Sequence, residues 1–276
     1  VLFRSSNISV LEELAVQFDS IYSQQKAEAD QWTIDNGAPI SGTLPDGSSF
    51  EIQRIRNGKP IYYVTFNENA AKTVSTDKVW TGTALNLDGS GITIGEWDGG
   101  KVKTNHQELI GNVTQIDGWP FINDHATHIA GTMISKGIEP GTQGMASGAQ
   151  LHTYSYGGDL SEMTSFAASG YLLSNHSYGE ASGWQFGWWI GCCCIINDWF
   201  WLGDVNISTS EDYNFGFYTQ EAKNWDELAF NAPYYLIVQA AGNDRSEVAP
   251  PGTSYYVDDG TGLYWNTCCT CSKAFH

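Results

Sequence analysis

From residue 91 onward, short apolar runs alternate with stretches of helical periodicity, and that rhythm admits few architectures. Strands are predicted at 91–96, 150–155, 173–178 and 234–240, and helices at 125–136, 161–173 and 220–231. Such alternation implies an α/β fold, a mostly parallel sheet with helices on both faces. Gly91-Ile92-Thr93-Ile94-Gly95-Glu96-Trp97-Asp98-Gly99-Gly100 is an apolar run bounded by glycines, which reads as a buried strand delivering Asp98 at its C-terminal end. A second such strand, Leu236-Ile237-Val238-Gln239-Ala240-Ala241-Gly242-Asn243, ends in small residues and a carboxamide. Asp124-His125-Ala126-Thr127-His128-Ile129-Ala130-Gly131-Thr132 sets His125 at the mouth of a helix whose Thr127, Ala130 and Gly131 allow close packing on the strands beneath. Open α/β sheets build their sites beyond the carboxyl ends of their strands, so Asp98, His125 and Asn243 are expected to converge at one sheet edge.

The segment before this alternation has another character. Val10, Leu11, Leu14, Phe18, Ile21 and Tyr22 recur at helical spacing and predict a helix over Ser9–Gln25, with Ser9 and Glu12 as a capping box. From Asn36 to Phe66 the runs become short and alternating, separated by Pro-Asp-Gly and Asn-Gly turns, which indicates a small antiparallel sheet. Two parts are therefore expected, a small α+β segment over 1–70 and a larger domain over 71–276. The 276 residues suffice for both. A formal charge of -18 leaves no basic surface to neutralise phosphates, which argues against nucleic acid as a partner. No charged-then-apolar leader and no membrane-spanning run is visible. Val1-Leu2-Phe3-Arg4-Ser5 reads as translated sequencing adapter, and with Ser272-Lys273-Ala274-Phe275-His276 closing on no turn or helix signal, the chain is expected to be a fragment at both ends.

The chemistry of the three polar residues can be stated from their types. A hydroxyl nucleophile needs a neutral imidazole within hydrogen-bond reach, and a carboxylate behind the imidazole to fix its tautomer and stabilise its charged form. His125 suits the base and Asp98 its orienter, while a carboxamide such as Asn243 can donate to a developing oxyanion. Each residue also has a plainer reading. Asp98 before two glycines is a turn former, Asn243 after Ala-Ala-Gly is a helix cap or turn residue, and His125 with His128 is a packing pair or half of a metal site.

The order Asp98, the His125 helix, Ser177-Tyr178-Gly179, then Ala240-Ala241-Gly242-Asn243 resembles the subtilisin-like serine peptidases, the subtilases. The resemblance runs from about Thr76 to the end, and the preceding segment resembles the pro-regions of secreted members. Its strongest part is His125–Thr132, similar to the family's His-Gly-Thr-His-Val-Ala-Gly-Thr box with Ala126 and Ile129 substituted. The resemblance implies hydrolysis of polypeptides through an acyl-enzyme, an Asp98–His125 pair and Asn243 in the oxyanion hole. It also implies that Ser177, Tyr178 and Gly179 bind substrate backbone and, with Ala240, Ala241 and Gly242, line the primary pocket. A secreted, monomeric parent without cofactor follows in the same way; calcium suits acidic loops of the family, yet no ligand set is assignable here.

The nucleophile departs from the family pattern. Gly252-Thr253-Ser254 is followed by Tyr255-Tyr256 and stands only eleven positions after Asn243, too near for the intervening elements, so Ser254 reads as loop. The serine is expected beyond His276 and the chain, as it stands, is expected to be inactive. Asp159-Leu160-Ser161-Glu162 reads as a second capping box, and His106 and His176 as structural or surface residues. Trp184–Trp201 holds five of the eleven tryptophans with Cys192-Cys193-Cys194, matches neither strand nor amphipathic helix, and is expected to be an aromatic surface insertion near the cleft. The six cysteines match no paired zinc framework. Two other readings remain beside the peptidase: a metal-dependent hydrolase with zinc held by Asp98, Asp124, His125 and His128, and a non-catalytic secreted binding module built on the aromatic insertion.

Overall fold

The computed structural model describes residues 7–43, 49–65, 84–138, 142–187, 189–190, 194–195, 198–208, 211–243, 255–257 and 274–275. Val1–Ser5, Gly252–Ser254, the Asp258–Gly260 turn and Cys192, Cys193, Cys268, Cys269 and Cys271 lie outside the described residues. In chain order the elements are α1 (Ile8–Asn36), β1 (Ser41–Thr43), β2 (Ser49–Arg56), β3 (Lys59–Thr65), β4 (Thr93–Asp98), β5 (Val113–Gln115) and α2 (Asp124–Ile134). There follow β6 (Gln150–Ser155), α3 (Asp159–Ala168), β7 (Leu173–His176), β8 (Tyr178–Glu180), β9 (Trp184–Phe186), β10 (Trp189–Ile190), β11 (Cys194–Ile195) and β12 (Trp199–Trp201). The last are α4 (Gln220–Asn231), β13 (Leu236–Gln239), β14 (Tyr255–Val257) and β15 (Ala274–Phe275). They gather into two compact units, the first comprising Val1–Ile21, Thr65–Tyr178 and Glu221–Ala241, the second the rest.

In the first unit, β13-β7-β4-β6-β5 form a parallel sheet, as the strand–helix alternation requires. Successive side chains of a strand point to opposite faces, so β4 divides into two sets. Ile94, with Leu151 of β6 and Val113 of β5, packs against Ala126, Ala130 and Ile134 of α2. On the other face Trp97 stacks on Tyr154 at 4.4 Å and on His176 at 5.2 Å, edge-on to Phe166 of α3 at 5.6 Å. Gly95 keeps that layer possible, since a Cβ there would stand 2.5 Å from the Trp97 ring.

The first helix is longer than its apolar stripe. It starts at Ile8, with the Leu11 amide on the Asn7 carbonyl, so Ser9 is already helical and its hydroxyl donates to Asn7 Oδ1; the Ser9–Glu12 capping box does not form. Beyond Gln25 the helix continues because Ala29 and Thr33 stay buried while i,i+4 pairs brace it, Lys26 with Asp30 part-buried and Gln31 with Asp35 exposed. It ends where Gly37 takes φ 63° and the Ala38 amide reaches back to the Thr33 carbonyl at 3.0 Å, a Schellman stop.

In the second unit β2 and β3 form a hairpin closed by Asn57-Gly58, both at positive φ (53° and 79°), as an Asn-Gly primed turn demands. Arg54 and Arg56 both pair with Glu180, the Arg56 contact at 2.7 Å. The described part of the tryptophan-rich segment forms short strands that are partly buried. Trp184–Phe186 and Trp199–Trp201 pair as antiparallel strands, and Phe200 and Trp201 are buried, Phe200 stacking on Tyr256 at 4.9 Å. These two strands, three residues each, are too short for an alternating pattern to show in the sequence.

The C-terminal end of α2 is closed by an approaching strand of backbone. Met145 and Ala146 amides donate to the Thr132 and Met133 carbonyls, and the Gly144 amide to Ser135. A Cβ on Gly144 would meet the Ser135 nitrogen at 2.4 Å and the Ile134 nitrogen at 2.6 Å, backbone atoms that cannot rotate away. Gly144→Ala is therefore expected to cost about 3 kcal/mol, lowering the melting temperature by roughly 6–12 °C in a thermal scan.

Candidate active site

Asp98 is the last residue of β4 and has no exposed surface. A buried carboxylate must have its lone pairs met. The Gly99 amide donates to Oδ1 at 2.6 Å, and His125 Nδ1 lies 2.8 Å from Oδ1 and 2.9 Å from Oδ2. An imidazole nitrogen facing a carboxylate carries the proton, which leaves Nε2 as the free lone pair, the tautomer a general base requires. Nε2 is buried and has no hydrogen-bond partner among the described residues.

Local structure explains how residues 27 apart meet. Asn123, in extended conformation, caps α2: its Oδ1 accepts from the Ala126 amide at 3.0 Å. The Asn123 amide in turn donates to the Lys101 carbonyl at 2.8 Å, and the Lys101 amide to the Phe121 carbonyl at 2.9 Å. The segment leaving β4 and the segment entering α2 are thus stitched together, which fixes the first turn of α2 over Asp98. Ala126, the departure from the family box, has no exposed surface and faces the apolar cluster rather than the ring.

The other expected residues divide. The Ala240 amide donates to the His176 carbonyl at 2.9 Å, and the Gln239 side chain donates to the Tyr178 carbonyl, so the segments around Ser177–Tyr178 and Ala240–Ala241 lie side by side in the first unit. The Tyr178 ring is buried, its hydroxyl donating to Asp159 Oδ2 at 2.7 Å, so only its backbone is available outward. Gly179, Gly242 and Asn243 are counted with the second unit; Asn243 is exposed, in a bend after Gly242. Asp124 and His128 are exposed on α2, and among the described residues no three His, Cys, Asp or Glu side chains form a group able to hold a metal ion.

Several supporting residues escaped the sequence reading. The Asp159–Glu162 capping box does not exist: α3 is capped by Gly158 at φ 83°. Asp159 instead receives the Tyr178 hydroxyl, and Glu162 Oε2 receives the Trp97 indole N–H at 2.9 Å. His176 has no exposed surface and sits between the Ser174 hydroxyl (2.9 Å) and the Tyr178 hydroxyl (2.9 Å), with burial holding its pKa down to about 3. Glu96 is buried with both oxygens lacking a hydrogen-bond partner among the described residues, and burial followed by repulsion from Asp98 pushes its pKa well above the ordinary carboxylate range. Asn123 had a legible signal, an Asx residue three before Ala126 at a helix mouth.

A parallel sheet whose central strand ends in a carboxylate, itself gripping the Nδ1 of a histidine at a helix N-terminus, is an α/β frame of the kind found in serine hydrolases. The profile of the subtilase family matches residues 63–267, and the chain belongs to that family of serine peptidases. No curated protein matches the chain.

Glu162 gives this site a measurable pH signature. Burial, opposed by the Trp97 indole, raises its pKa to about 8. A raised carboxyl contributes stability that is intact below its unfolded pKa and lost as pH rises through the folded one. Glu162→Gln, which keeps an acceptor for Trp97, is therefore expected to match the parent near pH 4 and to exceed its denaturant midpoint increasingly up to about pH 8.

Proposed function

We propose that this domain hydrolyses peptide bonds in polypeptide substrates through an acyl-enzyme, with His125 as general base and acid and Asp98 as its orienter. The observation that carries the reading is the His125 ring itself, its Nδ1 on both oxygens of a buried Asp98 and its Nε2 buried and without a hydrogen-bond partner among the described residues, where a nucleophile's proton would be taken. Asn243 is the oxyanion donor in this reading, a role worth about 3 kcal/mol or more in subtilisin itself. The main chain of Ser177–Gly179 and of Ala240–Gly242 supports extended substrate by strand addition. Residues 1–70 are read as a pro-region-like segment and the parent as a secreted monomer, both on the family's habits.

No serine in this chain takes the nucleophile's role in the proposal; Ser254 lies outside the described residues. The folded 276-residue chain is thus expected to resist labelling by an active-site phosphonate, while a version continued with a family-type Gly-Thr-Ser-x-Ala segment labels at that serine. His125→Ala in the continued version should slow labelling by a factor on the order of 10⁴ or more. A folded continued version that takes no label, or takes it equally well without His125, overturns the reading.

A further inference from the structure

Glu96 stands two residues before Asp98 on β4, so the two side chains share the sheet face that α2 covers. It has no exposed surface, and neither oxygen has a hydrogen-bond partner among the described residues. Its in-register neighbours direct their polar groups elsewhere: Thr153 of β6 donates to Gln115 at 2.8 Å, and Asn175 of β7 donates to Ser177 at 2.9 Å. The next residue of β6 on this face, Ser155, has a buried hydroxyl that also lacks a hydrogen-bond partner among the described residues. On the elements packed here, the titratable groups are Asp98 and, on α2, His125, Asp124 and His128, the last two exposed. His152 and His176 belong to the opposite face, His176 stacking under Trp97.

A buried carboxyl with no donor is a poor packing unit; an apolar side chain of similar volume would serve the core at least as well. Its one distinguishing relation is to the Asp98–His125 pair. With the imidazole neutral, that pair carries one negative charge, and ionising Glu96 would bring the dry region to two. With the imidazole charged, the pair is neutral overall, and ionising Glu96 adds only one. The two protonations are therefore linked, and the linkage is reciprocal. We propose that Glu96 is a positioning residue of the Asp98–His125 pair, a carboxyl that stays neutral behind Asp98 while the imidazole is uncharged and loses its proton more readily once the imidazole is charged. It leaves Asp98 the sole negative charge facing the ring. The inference rests on the base-and-orienter reading above, yet its test needs no turnover, so either can fail alone.

The test is a titration of the folded 276-residue chain by nuclear magnetic resonance. Ring-nitrogen shifts of His125, assigned by their loss in His125→Gln, are expected to show a second, alkaline step where Glu96 ionises, absent from Glu96→Gln and restored in Glu96→Asp. The side-chain carboxyl carbon of Glu96, followed directly, should titrate far above the other glutamates and move to lower pH in Asp98→Asn. Identical His125 curves in the parent and Glu96→Gln overturn the proposal. So does a Glu96 carboxyl titrating near 4.3, the value of a solvated glutamate; that measurement is made on the unsubstituted chain and decides the matter if Glu96→Gln does not fold.

Discussion

A carboxylate without exposed surface at the end of the central strand is the constraint around which the first unit is organised. Removing such a charge from water costs several kcal/mol, and only close donors repay it. Asp98 has two, the Gly99 amide at 2.6 Å and the His125 ring at 2.8 Å. The amide comes free with the turn at the strand end. The ring does not: it requires a helix to begin at one place, which is why the Asn123 cap and the Lys101 backbone bonds matter more to the site than any apolar contact of α2. A shift of one residue in that helix start would swing His125 by about 100° around the axis and leave Asp98 buried with one donor.

The two faces of β4 do different work because a strand alternates. Ile94, Glu96 and Asp98 face α2, running from apolar packing to charge over three positions; Gly95 and Trp97 face α3 and the aromatic layer. Trp97 immobilises the strand end from behind: clamped between Tyr154 and His176 and hydrogen-bonded through its indole to Glu162, it fixes the backbone from which Asp98 projects. Aromatic pairs of this kind add about 0.5–1.5 kcal/mol each beyond area burial, enough together to hold one strand end in one position.

The sheet and the dyad were legible in the sequence because both are written locally. Glycines bracket β4, small residues mark α2, and α4 falls at 220–231 as its spacing predicts. What escaped was set by partners distant in sequence. The short edge strand β5 carries no pattern over three residues. The continuation of α1 past Gln25 follows from two buried small residues, one part-buried ion pair and one exposed side-chain hydrogen bond, not from an apolar stripe. Asp159 and Glu162 look like a capping box in one dimension, yet Tyr178 and Trp97 claim them in three. The aromatic strands of the second unit show no apolar-in, polar-out alternation because β9 buries Gln185 and exposes Phe186, while β12 is aromatic at every position.

His176 makes the last point about constellations. It too has a serine hydroxyl on one ring nitrogen and, through Tyr178, an aspartate beyond the other: Ser174, His176, Tyr178 and Asp159 form an unbroken chain of hydrogen bonds. By residue types alone, with a serine, a histidine and an aspartate in one chain, it has the look of a catalytic relay. Yet every member of it is buried, burial holds the imidazole neutral down to about pH 3, and both ring nitrogens are already engaged. Such a ring has no lone pair left to accept a proton and no room for a substrate. His125 differs in one respect, a single nitrogen spent on its carboxylate and the other left open. Two imidazoles with carboxylates near them thus stand in different states, and what separates them is which hydrogen bonds the fold has left unmade among the described residues.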